Sequence, residues 1–153
     1  MHAADIVERL PTTGLDDEIL SAIRTISQLN LPGLVVTDES GVVVGCVSSV
    51  DLLRTTLPRY LHGDARLARV IDESTADRIA RTLAGVRVRD VVGELRRIPG
   101  VRPRATVVEL AELMAEHGSP IILVEPDDGG TPGMVTANHL LALLVAAAED
   151  TSG

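Results

Sequence analysis

The chain contains no lysine, no tryptophan and no phenylalanine, and Tyr60 is its only aromatic residue. A core must therefore be built from Leu, Ile, Val and Ala, and any ligand ring must pack on aliphatic side chains. Aromatic platforms for stacking single-stranded nucleic acid are excluded. All 14 basic residues are arginine and 22 acids outnumber them, so the net charge of −8 argues against nucleic acid as a partner. Cys46 is alone, which forbids an internal disulfide, and it reads as a small buried hydrophobe. Asp5, Glu8 and Arg9 interrupt any signal-peptide core, and no apolar run approaches the ~20 residues of a membrane helix. These absences point to a soluble cytoplasmic protein with no membrane insertion. His2, His62, His117 and His139 show no zinc spacing, and the acidic turn at 125–130 lacks the ligand series of a calcium loop. No nucleophile elbow or phosphate loop occurs, so neither a metal site nor catalysis has sequence support.

What the 153 residues do contain is a repeat. Gly45-Cys46-Val47-Ser48 corresponds to Gly133-Met134-Val135-Thr136 at an offset of 88, and Leu34-Val35-Val36 to Ile122-Leu123-Val124 at the same offset. Asp38-Glu39-Ser40-Gly41 and Asp127-Asp128-Gly129-Gly130 put turn residues between two apolar runs, so each copy predicts a β-hairpin. Ahead of each hairpin the spacing of Ile19, Ile23 and Ile26, and of Val107, Leu110 and Met114, predicts an amphipathic helix. Thr106 and Glu109 form a capping-box pattern, while Asp16-Asp17-Glu18 places acids where a first helical turn favours them. A second helix follows each hairpin, from near Ser49 and near Ala137. The latter runs through Leu140-Leu141-Ala142-Leu143-Leu144-Val145 with almost no polar face and is expected to be buried in the core, or else at a subunit interface. Further upstream, Asp5-Ile6-Val7 matches Asp90-Val91-Val92 at an offset of 85, which puts a three-residue insertion in the second copy near Pro99-Gly100. Between the copies, Ser74-Thr75-Ala76-Asp77 and apolar Leu67, Val70, Ile71, Ile79 and Leu83 predict a helical connector. The fold class is thus α/β (α+β): two β-α-β-β-α copies, at 1–58 and 86–149, a connector at 59–85 and a tail at 150–153. Neither copy has enough core alone, so the two should pack as one pseudo-twofold unit with related clefts where they meet.

On these residues the chain resembles a tandem pair of cystathionine-β-synthase-type (CBS) domains, the Bateman module. The family signature is Gly, two apolar residues, Ser or Thr, two free positions, then Asp and apolar residues. Gly45-Cys46-Val47-Ser48-Ser49-Val50-Asp51-Leu52-Leu53 matches at every defining position. Gly133-Met134-Val135-Thr136-Ala137-Asn138-His139-Leu140-Leu141 keeps Gly and Thr but has His where the family has Asp. The resemblance implies a non-catalytic homodimeric regulator with no obligatory cofactor. It would bind AMP, ADP, ATP or S-adenosylmethionine in the inter-repeat cleft, sense energy state, and signal allosterically to a transporter or metabolic enzyme. Asp51 would accept the ribose hydroxyls, Ser48 would contact ribose or phosphate, and Thr12, Thr13, Gly33, Leu34 and Val35 would frame the adenine. Thr136 would serve the other cleft, but His139 is not an anionic acceptor, which implies one competent site and one weak, altered or empty site. Members that bind highly charged nucleotides often carry basic residues before the middle strand, where this chain has Pro32-Gly33 and Pro120-Ile121. Arg54, Arg102 and Arg104 are the alternative phosphate contacts. Ser48 and Asp51 also make an ordinary capping box, so a ligand-free dimerisation scaffold is the competing expectation.

Overall fold

In the computed structural model, which describes residues 1–56, 77, 81, 83–91, 95 and 97–152, the apolar runs on either side of each acidic turn pair as antiparallel strands. The first hairpin joins β2 (Gly33–Thr37) to β3 (Val43–Ser48). Its turn is held by Asp38, whose Oδ1 accepts the N–H groups of Ser40 and Val42 at 2.9 and 3.0 Å. Gly41 takes the positive φ of 79° that this turn requires. The second hairpin joins β5 (Ile121–Val124) to β6 (Gly133–Thr136), with Gly129 at φ 72° and Asp128 Oδ1 accepting the Gly130 N–H at 2.9 Å. A short strand, β1 (Thr12–Gly14) or β4 (Gly100–Val101), adds in parallel to each hairpin and completes two three-stranded sheets.

The preceding helices are α1 (Ile19–Leu29) and α4 (Val107–His117). Ile19, Ala22 and Ile26 bury one face of α1, and Leu110 and Met114 that of α4. Both helices stop at a left-handed residue, Asn30 or Gly118, placed 88 residues apart. At the start of α4 the Thr106 and Glu109 backbone and side chains bond reciprocally, at 2.6 and 3.2 Å. The bond from the Thr106 backbone N–H, then that of its side chain, holds the Glu109 carboxyl below its ordinary pKa. The expected acids of α1 have other work. The helix begins at Ile19 with no acid in its first turn. Asp17 instead accepts from Gly14 N–H at 2.7 Å, and Asp16 pairs with Arg89 Nε at 2.9 Å, a bond that lowers the Asp16 pKa. The helices after the hairpins are α2 (Ser49–Thr56) and α5 (Ala137–Thr151). Burial of α5 is corrected: among its residues only Leu140 is buried, and Leu141, Leu144 and Val145 are exposed.

The chain divides into two compact units, Pro11–Arg96 and the combination of Met1–Leu10 with Arg97–Gly153. The core of the first joins Ile19, Ile26, Leu34, Val36, Val47 and Leu52 with Leu83 and Val88. That of the second joins Leu110, Met114, Ile122, Val135 and Leu140 with Ala3 and Ile6. The units therefore do not follow the order of the repeats, because each takes the segment that leads the other repeat. The exchange is regular. Val88 and Arg89, in α3 (Val88–Val91), donate to Asp17 and Leu15 carbonyls at 2.9 and 2.8 Å, and Ala3 and Ala4 donate to the corresponding Ala105 and Pro103 carbonyls at 2.8 and 3.0 Å. Asp90 accepts the Arg87 N–H as Asp5 accepts the His2 N–H. The offset of 85 between these leading segments gives way to 88 at β1 and β4, so the insertion falls between Val91 and Gly100. The helical connector expected over 59–85 lies, apart from Asp77, Arg81 and residues 83–85, outside the described residues.

Candidate functional site

Gly33 pairs with Ser48 where the first hairpin opens onto α2. A Cβ on Gly33 would lie 2.7 Å from the Val47 carbonyl oxygen and 3.1 Å from Ser48 Cα, so only glycine lets β2 press against the end of β3. The Ser49 N–H donates to the Pro32 carbonyl at 3.0 Å and fixes the strand-to-helix corner. There Ser48 Oγ accepts the Asp51 N–H at 3.0 Å, and Asp51 Oδ2 accepts the Ser48 N–H at 3.2 Å. Arg54, one turn on, brings Nη1 to 3.5 Å from Asp51 Oδ1, and the Asp51 side chain retains 22% exposure. The corner therefore presents a carboxylate, a hydroxyl and a guanidinium within two helical turns, a set able to accept hydroxyls and neutralise an anion. Capping does not by itself exhaust a carboxylate, which offers about four lone-pair sites.

The other expected contacts fall in two places. Thr12, Thr13, Gly33, Leu34 and Val35 belong to the same sheet as Ser48, with Thr12 opposite Val35 and Thr13 opposite Val36. The Leu34 side chain is part of the hydrophobic core, and strand alternation turns Val35 to the opposite face. Thr13 is buried and its hydroxyl donates to Asp17 Oδ2 at 3.3 Å. Cys46 is buried. Thr136, His139, Arg102 and Arg104 belong to the second unit. Arg102 is exposed and lies 3.8 Å from Asp127 Oδ1, across the loops that follow β4 and β5.

The second signature is arranged differently. Thr136 caps α5 through His139, whose N–H donates to Thr136 Oγ1 at 3.2 Å. No carboxylate is available at position 139 to take the Thr136 N–H, and that role falls to Glu8. Glu8 Oε2 accepts the Thr136 N–H at 2.7 Å and its hydroxyl at 2.9 Å. The leading segment is anchored there by the Glu8 N–H to the Met134 carbonyl, at 2.7 Å, and by Val7 packed over Gly133. Sequence reasoning missed Glu8 because its partner lies 128 residues away. The available signal was the offset of 85, which sets Glu8 against Gly93 in the other leading segment.

The chain belongs to the CBS domain family, whose model matches it twice, at residues 3–57 and 88–146. The solved structure of a CBS domain-containing protein of unknown function from Kribbella flavida is 37% identical, with a TM-score of 0.80 over 95% of this chain and 99% of that one. A structure of CBSX2 in complex with AMP shares the fold at 19% identity, with a TM-score of 0.65 over 95% of this chain and 97% of that one. An uncharacterized protein of Methanocaldococcus jannaschii is 23% identical over 95% of this chain and 92% of its own length. The family is a regulatory one, and among the described residues no helix is long and apolar enough to cross a membrane.

Proposed function

We infer that the protein is a non-catalytic cytoplasmic regulator that binds an adenosine-containing ligand, AMP, ADP, ATP or S-adenosylmethionine, through Ser48 and Asp51. Ligand occupancy is passed as an allosteric signal to a partner protein, such as a transporter or metabolic enzyme. The observation that carries this reading is the Ser48–Asp51 corner beside Gly33, with Arg54 at hand for phosphate. The AMP complex of CBSX2 shows that a protein of this fold accepts such a ligand. Coupling then requires only that the ligand favour one conformation over another.

The test is the unfolding midpoint with each of AMP, ADP, ATP, S-adenosylmethionine and a cyclic dinucleotide. A ligand at about 100 times its dissociation constant stabilises by about 2.7 kcal/mol. One adenosine compound is expected to raise the midpoint of the wild type. Asp51→Asn retains an oxygen for the Ser48 N–H, so its ligand-free midpoint should stay near wild type while the ligand response is lost. Absence of a response in the wild type would overturn the reading in favour of the ligand-free scaffold.

The scaffold reading has its own support in the exposed apolar residues Val50 and Leu53 of α2 and Leu141, Leu144 and Val145 of α5. Such surface is expected at a subunit contact, and both readings include a homodimer. Sedimentation at micromolar concentration should therefore give a species of twice the 16.2 kDa chain mass. A single monomeric species would exclude that state.

A further inference from the structure

We propose that Glu8 is the acid of the second signature, carried in from the amino-terminal segment, and that its carboxylate bars phosphate-bearing ligands from Thr136. The family pattern calls for an acid three residues after the hydroxyl, and the first repeat has it in Asp51. In the second repeat that position is His139, yet the Thr136 N–H still meets a carboxylate, at 2.7 Å. The two units complement one another: the first has Asp51 in its signature and Gly93 at the sequence position matching Glu8, and the second has His139 and Glu8.

The geometry gives this carboxylate a different effect from that of Asp51. A threonine hydroxyl has one proton to give. That of Thr136 goes to Glu8 Oε2 at 2.9 Å, and the same hydroxyl accepts the His139 N–H. The Thr136 backbone N–H is taken by the same Glu8 oxygen. Thr136 is buried, so neither donor has water as a ready alternative partner. A phosphate approaching this helix start would find both Thr136 donors engaged and a negative charge within 3 Å of each. Glu8 therefore acts as an internal anion in the place a ligand anion would take, and it selects against charged nucleotides at the second signature.

The ligand half of this proposal rests on the adenosine reading, whereas the identity of the acid does not, and the experiment separates the two. Full-length wild type, Glu8→Ala, His139→Asp and the double variant are compared in urea unfolding and in calorimetric titration with AMP. Glu8→Ala is expected to lower the urea midpoint. His139→Asp restores a local capping acid, so it should recover most of that loss in the double variant and give no gain in the wild-type background. Additive effects of the two substitutions would overturn Glu8 as the acid, whatever AMP does. The wild type is expected to bind one AMP per chain and the double variant two. A folded double variant that still binds one, or a wild type that binds two, would overturn the exclusion of phosphate. If the wild type binds no AMP, the adenosine reading and the exclusion of phosphate fall together while the urea comparison still decides the role of Glu8. Should Glu8→Ala fail to fold, Glu8→Gln combined with His139→Asp keeps an uncharged acceptor on Thr136, and a second AMP in that protein but not in His139→Asp alone would support the exclusion, while equal counts in the two would overturn it.

Discussion

Leu110→Ala is expected to cost about 3 kcal/mol of unfolding free energy, within the range for buried leucines truncated to alanine. Leu110 is fully buried in the second core, against a set of neighbours that includes Ala3 and Ile6 from the far end of the chain. With no phenylalanine or tryptophan in the chain, that core is made of aliphatic side chains and Met114, close-packed so that truncation leaves a cavity the surroundings refill only in part. Domain stabilities of about 5–15 kcal/mol make such a loss large. Val108→Ala on the same helix removes a side chain that is 73% exposed and should change stability by no more than about 0.5 kcal/mol. Urea unfolding of the pair is the check, and equal midpoints would show that the core is not assembled as described.

The second large effect is expected at Gly33→Ala, through the opposite fault of too much volume. The new Cβ would sit 2.7 Å from the Val47 carbonyl oxygen and 3.1 Å from Ser48 Cα. Both are backbone atoms of the paired strand, so relief requires β2 and β3 to separate at the end that positions Ser48. Overpacking of this kind costs about 1–3 kcal/mol, and the displaced corner should also lose its AMP response. Gly14→Ala is the control, because the nearest atoms to its Cβ would be those of the Asp17 carboxyl, at an ordinary 3.4–3.5 Å. A Gly33→Ala protein as stable as Gly14→Ala and equally responsive to AMP would contradict the close approach.

Much of this architecture was legible because its determinants are local. Asp38 and Gly41 specify their turn within four residues, and the spacing of Leu110 and Met114 defines a helical face. The Ser48–Asp51 corner was legible for the same reason. What escaped depends on distant partners. Asp16 and Asp17 carry the composition of a helix start, but Arg89 and the Gly14 backbone claim them. The apolar α5 suggested burial, since hydrophobicity records that a face wants covering without recording whether the cover belongs to the same chain. Glu8 gave no local sign at all, being an unremarkable acid in a thin amino-terminal stretch until the fold sets it on Thr136.

The exchange of leading segments also fixes an order of events during synthesis. Met1–Leu10 is synthesised before the segments it packs against, and the Met134 carbonyl and the Thr136 donors it binds are made more than a hundred residues later. At about 5–20 residues per second that interval is on the order of ten seconds. Pro11–Arg96, by contrast, is continuous in the chain and has all its own residues before β5 exists. Residues 1–10 thus wait for their partners, and Ile6 for Val135 and Leu140 of its core, until β6 and the start of α5 have been translated.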